Sequence, residues 1–155
     1  MIRGELAHDS GDIFVEGISV GHDRVAARSK LGVCPQFDAM DGMTVPEHLR
    51  FYARVKGVVD VDHNVQEIVR AIGLDGLTER MAGKLSGANK RKPSLAIALI
   101  GNPSVLLLDE PSSGMDPASK RTMWQTLMSV SHSRSVLLTT HSMEEADALA
   151  TGCGI

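Results

Sequence analysis

The sequence has few cysteines, few aromatic residues and no long apolar run. Its two cysteines, Cys34 and Cys153, form no CxxC pair and show no metal-binding spacing, so we interpret them as ordinary thiols of a reducing compartment. The six histidines show neither HxxxH nor HxxEH spacing, and we therefore expect no zinc site. No stretch approaches the roughly 20 apolar residues of a membrane-spanning helix, so we expect no transmembrane segment in this chain.

The chain also lacks an excess of positive charge. Its 16 lysines and arginines stand against 19 aspartates and glutamates, which gives a net charge of −3. A protein that binds nucleic acid must neutralise phosphates, so this balance argues against a nucleic-acid partner. The one dense basic cluster, formed by Lys84, Lys90, Arg91 and Lys92, is interpreted from its charge patterning as a solvated helix face.

The last third of the chain alternates strand and helix patterns. Two apolar runs, 105–108 and 136–140, are typical of strands buried in a parallel sheet. A helix follows each run: Asp116 is an N-cap candidate for a helix to about residue 130, and Ser142 with Glu145 forms a capping box for a helix over 143–150. This alternation predicts an α/β fold with a parallel sheet.

The middle of the chain has a helical pattern almost throughout. Thr44 and Glu47 form a capping box at the start of one helix, and Gly73 ends another that begins near Asn64. A third stretch, 89–100, is apolar on several faces, which indicates a largely buried helix.

The organisation that these patterns predict is one partial domain over 1–155, with a helical insertion. Two short strands, 12–16 and 31–34, precede the helical region. The expected divisions are an α/β core in 1–43 and 101–155, and an inserted helical subdomain in 44–100.

Two adjacent carboxylates, Asp109 and Glu110, end the apolar run 105–108. Ligands of parallel α/β sheets bind at the carboxyl ends of the strands, and neighbouring strand residues point to opposite faces, so the two acids can act differently. Asp109 would hold Mg²⁺ through a water, and Glu110 would orient or deprotonate an attacking water. Taken alone, the pattern also fits a core strand that ends in a polar turn.

Three further signals are weak when each is considered alone. Ser86 and Gly87 open a helix and could bind an anion through free backbone N–H groups, but a plain serine N-cap is common and is the preferred interpretation of this segment alone. His141 follows the run 136–140 and could contact a γ-phosphate, but a histidine at that place is more often a surface residue. Gln36 follows a strand, where its amide could reach Mg²⁺ and the attacking water.

The order of these signals resembles an ATP-binding cassette of the ABC-type ATPases. The segments LSGANKRK, DEPSSGMDP and HSMEEAD are similar to those of the A-type subfamily, which is associated with lipid movement. The implied fold is a partial RecA-like P-loop NTPase core with an inserted helical signature subdomain. The resemblance covers nearly the whole chain, and it rests on the matching positions Gln36, Ser86, Asp109, Glu110, Asp116 and His141.

The resemblance implies a role for each matching residue. Glu110 would be the catalytic carboxylate, assisted by the switch histidine His141 and the Q-loop residue Gln36. Asp109 and Gln36 would hold Mg²⁺ indirectly. ATP would be bound by signature and D-loop residues, namely Ser86, Gly87, Ala88, Asn89 and Asp116. The implied cofactors are ATP and Mg²⁺, and the implied partners are a second cassette in a head-to-tail ATP sandwich and a transmembrane domain. The implied location is the cytosolic face of a membrane, within an integral membrane transporter.

The sequence departs from the family pattern in two regions. It contains no GxxxxGK[ST] phosphate loop, which in the family lies upstream of the first strand seen here, so we expect a truncated cassette that is inactive alone. In the signature, Ala88 replaces a second glycine, and Pro93 stands inside the expected helix. Because proline removes a backbone hydrogen bond, we predict a kink or a late helix start between Asn89 and Pro93.

Two alternatives remain open at this point. The chain could be a non-catalytic remnant of a cassette, which the missing phosphate loop, Ala88 and Pro93 favour and the intact acids and His141 oppose. It could also be a soluble ABC-type ATPase, although the short distance from Gln36 to Ser86 leaves no room for a long coiled-coil insertion.

Overall fold

The computed structural model describes residues 2, 10–36, 42–77, 80–85 and 87–152, with the backbone alone at 87–89. Five strands lie in this part of the chain: β1 (Phe14–Val15), β2 (Ile18–Ser19), β3 (Leu31–Cys34), β4 (Val105–Asp109) and β5 (Ser135–Thr139). Six α-helices accompany them: α1 (Arg24–Ser29), α2 (Val45–Val55), α3 (Val61–Ile72), α4 (Gly87–Leu99), α5 (Pro117–Ser131) and α6 (Met143–Leu149). Two short 3₁₀ helices, Asp75–Leu77 and Ala82–Lys84, connect α3 to α4.

A three-stranded parallel sheet in the order β3-β4-β5 forms the centre of the fold. The predicted α/β class with a parallel sheet is therefore confirmed. In the register of the sheet, Cys34 pairs with Leu108 and Asp109 pairs with Thr139. The residues that follow the three strands therefore share one edge of the sheet, which is where α/β sheets bind ligands.

Alternating side chains of the sheet enter two separate hydrophobic clusters. Leu106 and Leu108 join the larger cluster, which also contains buried residues of α2, α3, α4 and α5. Leu31 lies in the smaller cluster with residues of β1 and α1, and Leu107 packs against it. The period-2 alternation of strand side chains thus covers both faces of β4, as the continuous apolar run predicts.

The strand at the edge of this sheet, β5, differs from its prediction. Its residues are mostly exposed, and Val136 and Leu137 are 40% and 51% exposed. The apolar run correctly predicted a strand, but the prediction of burial was wrong. Within the described residues β5 pairs with β4 alone, and an apolar run does not by itself reveal whether both faces are covered.

Local capping signals fix the ends of α2 and α3. The Glu47 carboxylate accepts hydrogen bonds from the Thr44 backbone N–H at 2.7 Å and from its hydroxyl at 2.8 Å, and the backbone bond is the main cause that lowers the pKa of Glu47. α3 begins three residues earlier than predicted because the Asp60 side chain caps it by accepting from the His63 N–H. Gly73 ends α3 with a φ of +66°, as predicted.

The helix α4 packs directly on β3, with Gly32 at the contact. A Cβ atom at Gly32 would lie 2.1 Å from the Ala98 carbonyl oxygen, so only glycine allows this approach. α4 starts at Gly87 and continues past the fully buried Pro93. The predicted late start is therefore wrong, because packing of the proline ring in the core compensates for one missing hydrogen bond. The kink and the boundaries of the helical subdomain stay predictions.

Candidate functional site

The two acids predicted from the sequence lie at the carboxyl end of the central strand. Asp109 is the last residue of β4, and its Oδ1 accepts a hydrogen bond of 2.5 Å from the Thr139 hydroxyl on β5. Glu110 follows with a φ of +49°, a backbone conformation that residues other than glycine seldom adopt. Its N–H donates to the Thr139 carbonyl at 3.0 Å, so the sheet ladder is extended into the turn.

His141 contacts the second acid directly. Its Nδ1 lies 2.8 Å from Glu110 Oε2, and the two side chains differ in exposure, at 80% for the histidine and 15% for the glutamate. The contact joins the loop after β5 to the turn after β4. The structure therefore brings together two of the predicted catalytic residues, with the carboxylate shielded and the imidazole facing solvent.

Gln36, the third predicted catalytic residue, reaches this edge through its backbone. Gln36 is exposed, and its carbonyl oxygen accepts a hydrogen bond of 2.9 Å from Nη1 of Arg91. The same guanidinium binds the carbonyl oxygens of Asp109 and Glu110. The segments that hold the glutamine and the two acids are thus anchored to one side chain.

The interpretation of the basic cluster as a solvated helix face is wrong for Arg91, which is buried. The residue is 4% exposed, and it donates from the inner face of α4 into the strand ends. The sequence held a signal for this burial, because Arg91 lies one helical turn before the fully buried Leu95 and so shares its face. Of the other cluster members, Lys84 is exposed and Lys90 and Lys92 are partly exposed.

Asp116 caps α5, as its position before Pro117 predicts. Its side chain accepts from the N–H groups of Ala118 at 3.0 Å and Ser119 at 3.1 Å, and from the Ser119 hydroxyl at 2.6 Å. The hydroxyl bond is the largest cause that holds the pKa of Asp116 below its usual value. The described contacts give this residue a capping role, and a contact with ATP stays a prediction.

The structure describes only the backbone of three predicted signature residues, Gly87, Ala88 and Asn89. Ser86 is not among the described residues, and the side chains of Ala88 and Asn89 are not described either. Gly87 is the first residue of α4. Their predicted contact with a nucleotide therefore stays a prediction.

The sequence did not predict that the Glu145 carboxylate of α6 is buried. Glu145 is 1% exposed, and its Oε1 accepts from Nε1 of Trp124 at 3.1 Å. The same indole N–H lies 3.4 Å from the hydroxyl of Ser112, in the turn after Glu110. The predicted capping box of α6 is therefore half formed: Ser142 accepts from the Glu145 N–H at 3.4 Å, but the Ser142 N–H donates to Thr140.

The chemistry of the site is that of oxygen ligands and a single imidazole. Among the described residues, no three His, Cys, Asp or Glu side chains gather closely enough to hold a metal ion by themselves. Mg²⁺ typically takes only one or two protein carboxylates and completes its shell with waters and substrate phosphates. The carboxylate of Asp109, exposed at the strand end and oriented by Thr139, fits that requirement.

Several known proteins are similar to this chain over its whole length. The family model described as ABC transporter matches residues 1–113. The retinal-specific phospholipid-transporting ATPase of Bos taurus is 45% identical over 159 positions, which cover 100% of this chain and 7% of that protein. ABC transporter A family member 3 of Arabidopsis thaliana is 42% identical, over 100% of this chain and 17% of that protein.

A further relative gives the same result. ATP-binding cassette sub-family A member 7 of Mus musculus is 44% identical over 160 positions, which cover 100% of this chain and 7% of that protein. The chain thus spans between 7% and 17% of the length of these relatives. No helix in the described part of the chain is long and apolar enough to cross a membrane. Because the family model matches well over half of its residues, the chain belongs to the ABC transporter family, and its relatives are members of the A subfamily.

Proposed function

We propose that this chain is the part of an ATP-binding cassette domain that activates water and closes over a nucleotide, and that it couples ATP hydrolysis to lipid transport across a membrane. The observation that supports this function best is the contact between Glu110 and His141 at the carboxyl end of the central strand. A shielded carboxylate with a solvent-facing imidazole on one of its oxygens can orient a water and accept its proton. Family membership supplies the reaction, which is attack of that water on the γ-phosphate of ATP.

Each residue at the carboxyl end of the sheet has a separate role in the proposed reaction. Glu110 orients and deprotonates the water, and His141 holds the carboxylate oriented and approaches the γ-phosphate. Asp109 would hold Mg²⁺, which neutralises charge on the phosphates when it is bound. Gln36 lies on the segment that Arg91 joins to the acids, where its amide can orient the same water.

The partners follow from the same scheme. ATP would lie between this cassette and a second one. The residues of this chain that would contact it are Ser86, Gly87, Ala88, Asn89 and Asp116. The phosphate cradle would come from outside these 155 residues, because the sequence contains no GxxxxGK[ST] loop. Closure of the cassette would move a transmembrane domain of the transporter. The proposed location of this chain is therefore the cytosolic face of a membrane.

The substrate class is taken from the relatives. The Bos taurus and Rattus norvegicus relatives are phospholipid-transporting ATPases, and they are 45% and 43% identical to this chain. The chain spans 7% and 9% of those proteins, so transport would also need segments outside these 155 residues. A phospholipid is accordingly the substrate to test first.

Transport is tested by reconstituting the transporter that contains this chain into phospholipid vesicles. Movement of a labelled phospholipid should need ATP and Mg²⁺, and it should stop in Glu110→Gln. The matched control is Glu144→Gln, a change of the same kind at an exposed residue of α6. Movement at the wild-type rate in Glu110→Gln would exclude an ATP-driven role for this site.

The isolated chain provides a separate test of the missing cradle. Calorimetric titration of the 155-residue chain with ATP and Mg²⁺ should show no saturable binding in the micromolar range, and the chain should release no phosphate. Without a lysine and a nest of backbone N–H groups around the triphosphate, the binding energy is too small. Micromolar affinity in this titration would show that the chain builds a nucleotide site of its own.

A further inference from the structure

One buried arginine joins two backbone segments of the candidate site. Arg91 is 4% exposed, and every donor nitrogen of its guanidinium binds a main-chain carbonyl oxygen. One segment follows β3, and the other runs from the end of β4 into the turn after it. Among the described residues, the acceptor oxygens bound by the arginine include those of Pro35 (2.8 Å), Gln36 (2.9 Å), Asp109 (3.0 Å), Glu110 (2.9 Å) and Pro111 (3.2 Å).

The division of these bonds follows the shape of the guanidinium. Nη1 binds the two carbonyls after β3, Nη2 binds the two carbonyls of the acids, and Nε binds Pro111. The donors of an arginine lie in one rigid plane, so the positions of the two carbonyl pairs are fixed relative to each other. A lysine offers three donors on a single atom and cannot reach both pairs with that geometry.

The arginine also acts on the strained residue of the site. Glu110 has a φ of +49°, and a residue other than glycine keeps such a conformation only where its surroundings determine it. Two bonds do so here: the Glu110 carbonyl accepts from Arg91 Nη2 at 2.9 Å, and its N–H donates to Thr139 at 3.0 Å. The direction of the Glu110 side chain, and hence its contact with His141, depends on this backbone conformation.

We propose that Arg91 is a positioning residue for ATP hydrolysis. It fixes the Gln36 segment relative to Glu110, so that the glutamine amide and the carboxylate meet the same water, and it holds Glu110 in its strained conformation. This assignment rests on the proposed function for its catalytic consequence, whereas its structural consequence can be measured without ATP. Arg91 lies in α4, the helix that begins with the signature glycine Gly87. A movement of α4 would therefore also move the Gln36 segment and the Glu110 turn, because Arg91 binds both.

The structural consequence is measured in the 155-residue chain by amide hydrogen exchange in NMR. Arg91→Lys and Arg91→Met are compared with Lys92→Met, a change at the adjacent, partly exposed residue. Both Arg91 variants should lose protection of the Glu110 N–H while the central β4 amides keep theirs, because the turn is released and the sheet is not. Lys92→Met should retain wild-type protection at Glu110.

A wild-type measurement keeps the proposal testable if a variant does not fold. The guanidinium protons of Arg91 should give separate, slowly exchanging signals, with hydrogen-bond couplings to the carbonyls of Gln36 and Glu110. A rapidly rotating guanidinium with averaged signals would overturn the assignment, as would wild-type protection of the Glu110 amide in Arg91→Lys.

The catalytic consequence is measured as ATP turnover by the transporter that contains this chain. Loss of positioning should lower kcat by roughly 10- to 100-fold in Arg91→Lys with little change in KM, since ground-state binding of ATP is retained. A change in KM alone, or an unchanged kcat, would contradict a positioning role. If the wild-type protein hydrolyses no ATP, the proposed function fails, and the exchange measurement still decides whether Arg91 clamps the two segments.

Discussion

Glu145 shows how much a single buried side chain can connect in this fold. Its carboxylate is 1% exposed and accepts from the indole N–H of Trp124, which also lies near the Ser112 hydroxyl. The contact joins α6, which follows the His141 loop, to α5 and to the turn after Glu110. Loss of this hydrogen bond should therefore weaken the packing of α6 on α5.

We therefore predict that Glu145→Ala lowers the free energy of unfolding by about 0.5–1.5 kcal/mol, the typical net contribution of one hydrogen bond. Trp124 is the only tryptophan in the sequence, so its fluorescence in a urea titration reports the loss directly. Glu145→Gln retains an acceptor oxygen and should be milder. Glu144→Ala, at the exposed neighbouring position, should change stability little, and an equal loss in Glu144→Ala would show that the Trp124 contact is not the cause.

Sequence reasoning at the scale of residues succeeded where chemistry follows position along a strand. Asp109, Glu110 and His141 were expected at one sheet edge, and the structure brings them there. It failed for Arg91, because its acceptors are carbonyls from segments more than 15 positions away, and main-chain acceptors leave no mark in a sequence. The left-handed backbone of Glu110 was equally hidden, since a glutamate gives no sign of positive φ.

At the scale of elements, α4 and β3 come into close contact at Gly32. A Cβ at Gly32 would lie 2.1 Å from the Ala98 carbonyl oxygen, 2.7 Å from the Leu106 side chain and 2.9 Å from the Pro103 ring. The first of these neighbours is backbone and cannot turn away. The helix and the strand would have to separate to admit a methyl group.

Gly32→Ala should therefore destabilise the fold by at least about 1–3 kcal/mol, the range typical of overpacked cores. Thermal unfolding followed by circular dichroism measures the effect. Gly76→Ala serves as the control, because a Cβ at Gly76 meets no atom within 4 Å. Equal melting temperatures for Gly32→Ala and the wild type would show that the close approach of α4 to β3 is not present in solution.

The N-cap of α5 gives an element-scale prediction for pH. Hydrogen bonds from Ser119 hold the pKa of Asp116 below its usual value in the folded state. The unfolded state therefore binds a proton first as pH falls, so the charge of Asp116 stabilises the fold above the usual aspartate pKa of about 3.9. This contribution is lost as pH falls through the lower, folded-state pKa.

Asp116→Asn keeps a capping side chain but removes the charge, so it isolates this pH dependence. The melting temperature of the wild type should exceed that of Asp116→Asn at pH 6, and the difference should shrink as pH falls below the usual aspartate pKa of about 3.9. Asp116→Ala should be less stable than both at pH 6 because it loses the cap. A difference between wild type and Asp116→Asn that does not change with pH would contradict the lowered pKa.

The starts of α2 and α5 were predicted correctly because capping is local, whereas α3 starts three residues before its predicted start. Thr44 with Glu47 and Asp116 with Pro117 each lie where a short motif expects them. Pro93 and β5 were less predictable, because tertiary packing decides whether a buried ring compensates for a lost hydrogen bond and whether a strand is covered. Glu145 shows the same limit, since its bond with Trp124 replaces half of a capping box.

At the scale of the whole molecule, the fold places polar strand ends on one edge and distributes its core on both faces of the sheet. Family membership follows from the sequence and agrees with that architecture. The chain spans 7% to 17% of the length of its relatives. The proposed division is that this chain activates the water, while the phosphates are held from outside it.

The measurement that tests this account most directly is ATP turnover and nucleotide occupancy in the transporter that contains this chain, compared between wild type and Glu110→Gln. If Glu110 deprotonates the attacking water, phosphate release should fall by roughly 10²- to 10⁴-fold, while bound ATP remains and accumulates. Glu144→Gln should turn over ATP at the wild-type rate. Wild-type phosphate release by Glu110→Gln would contradict the account.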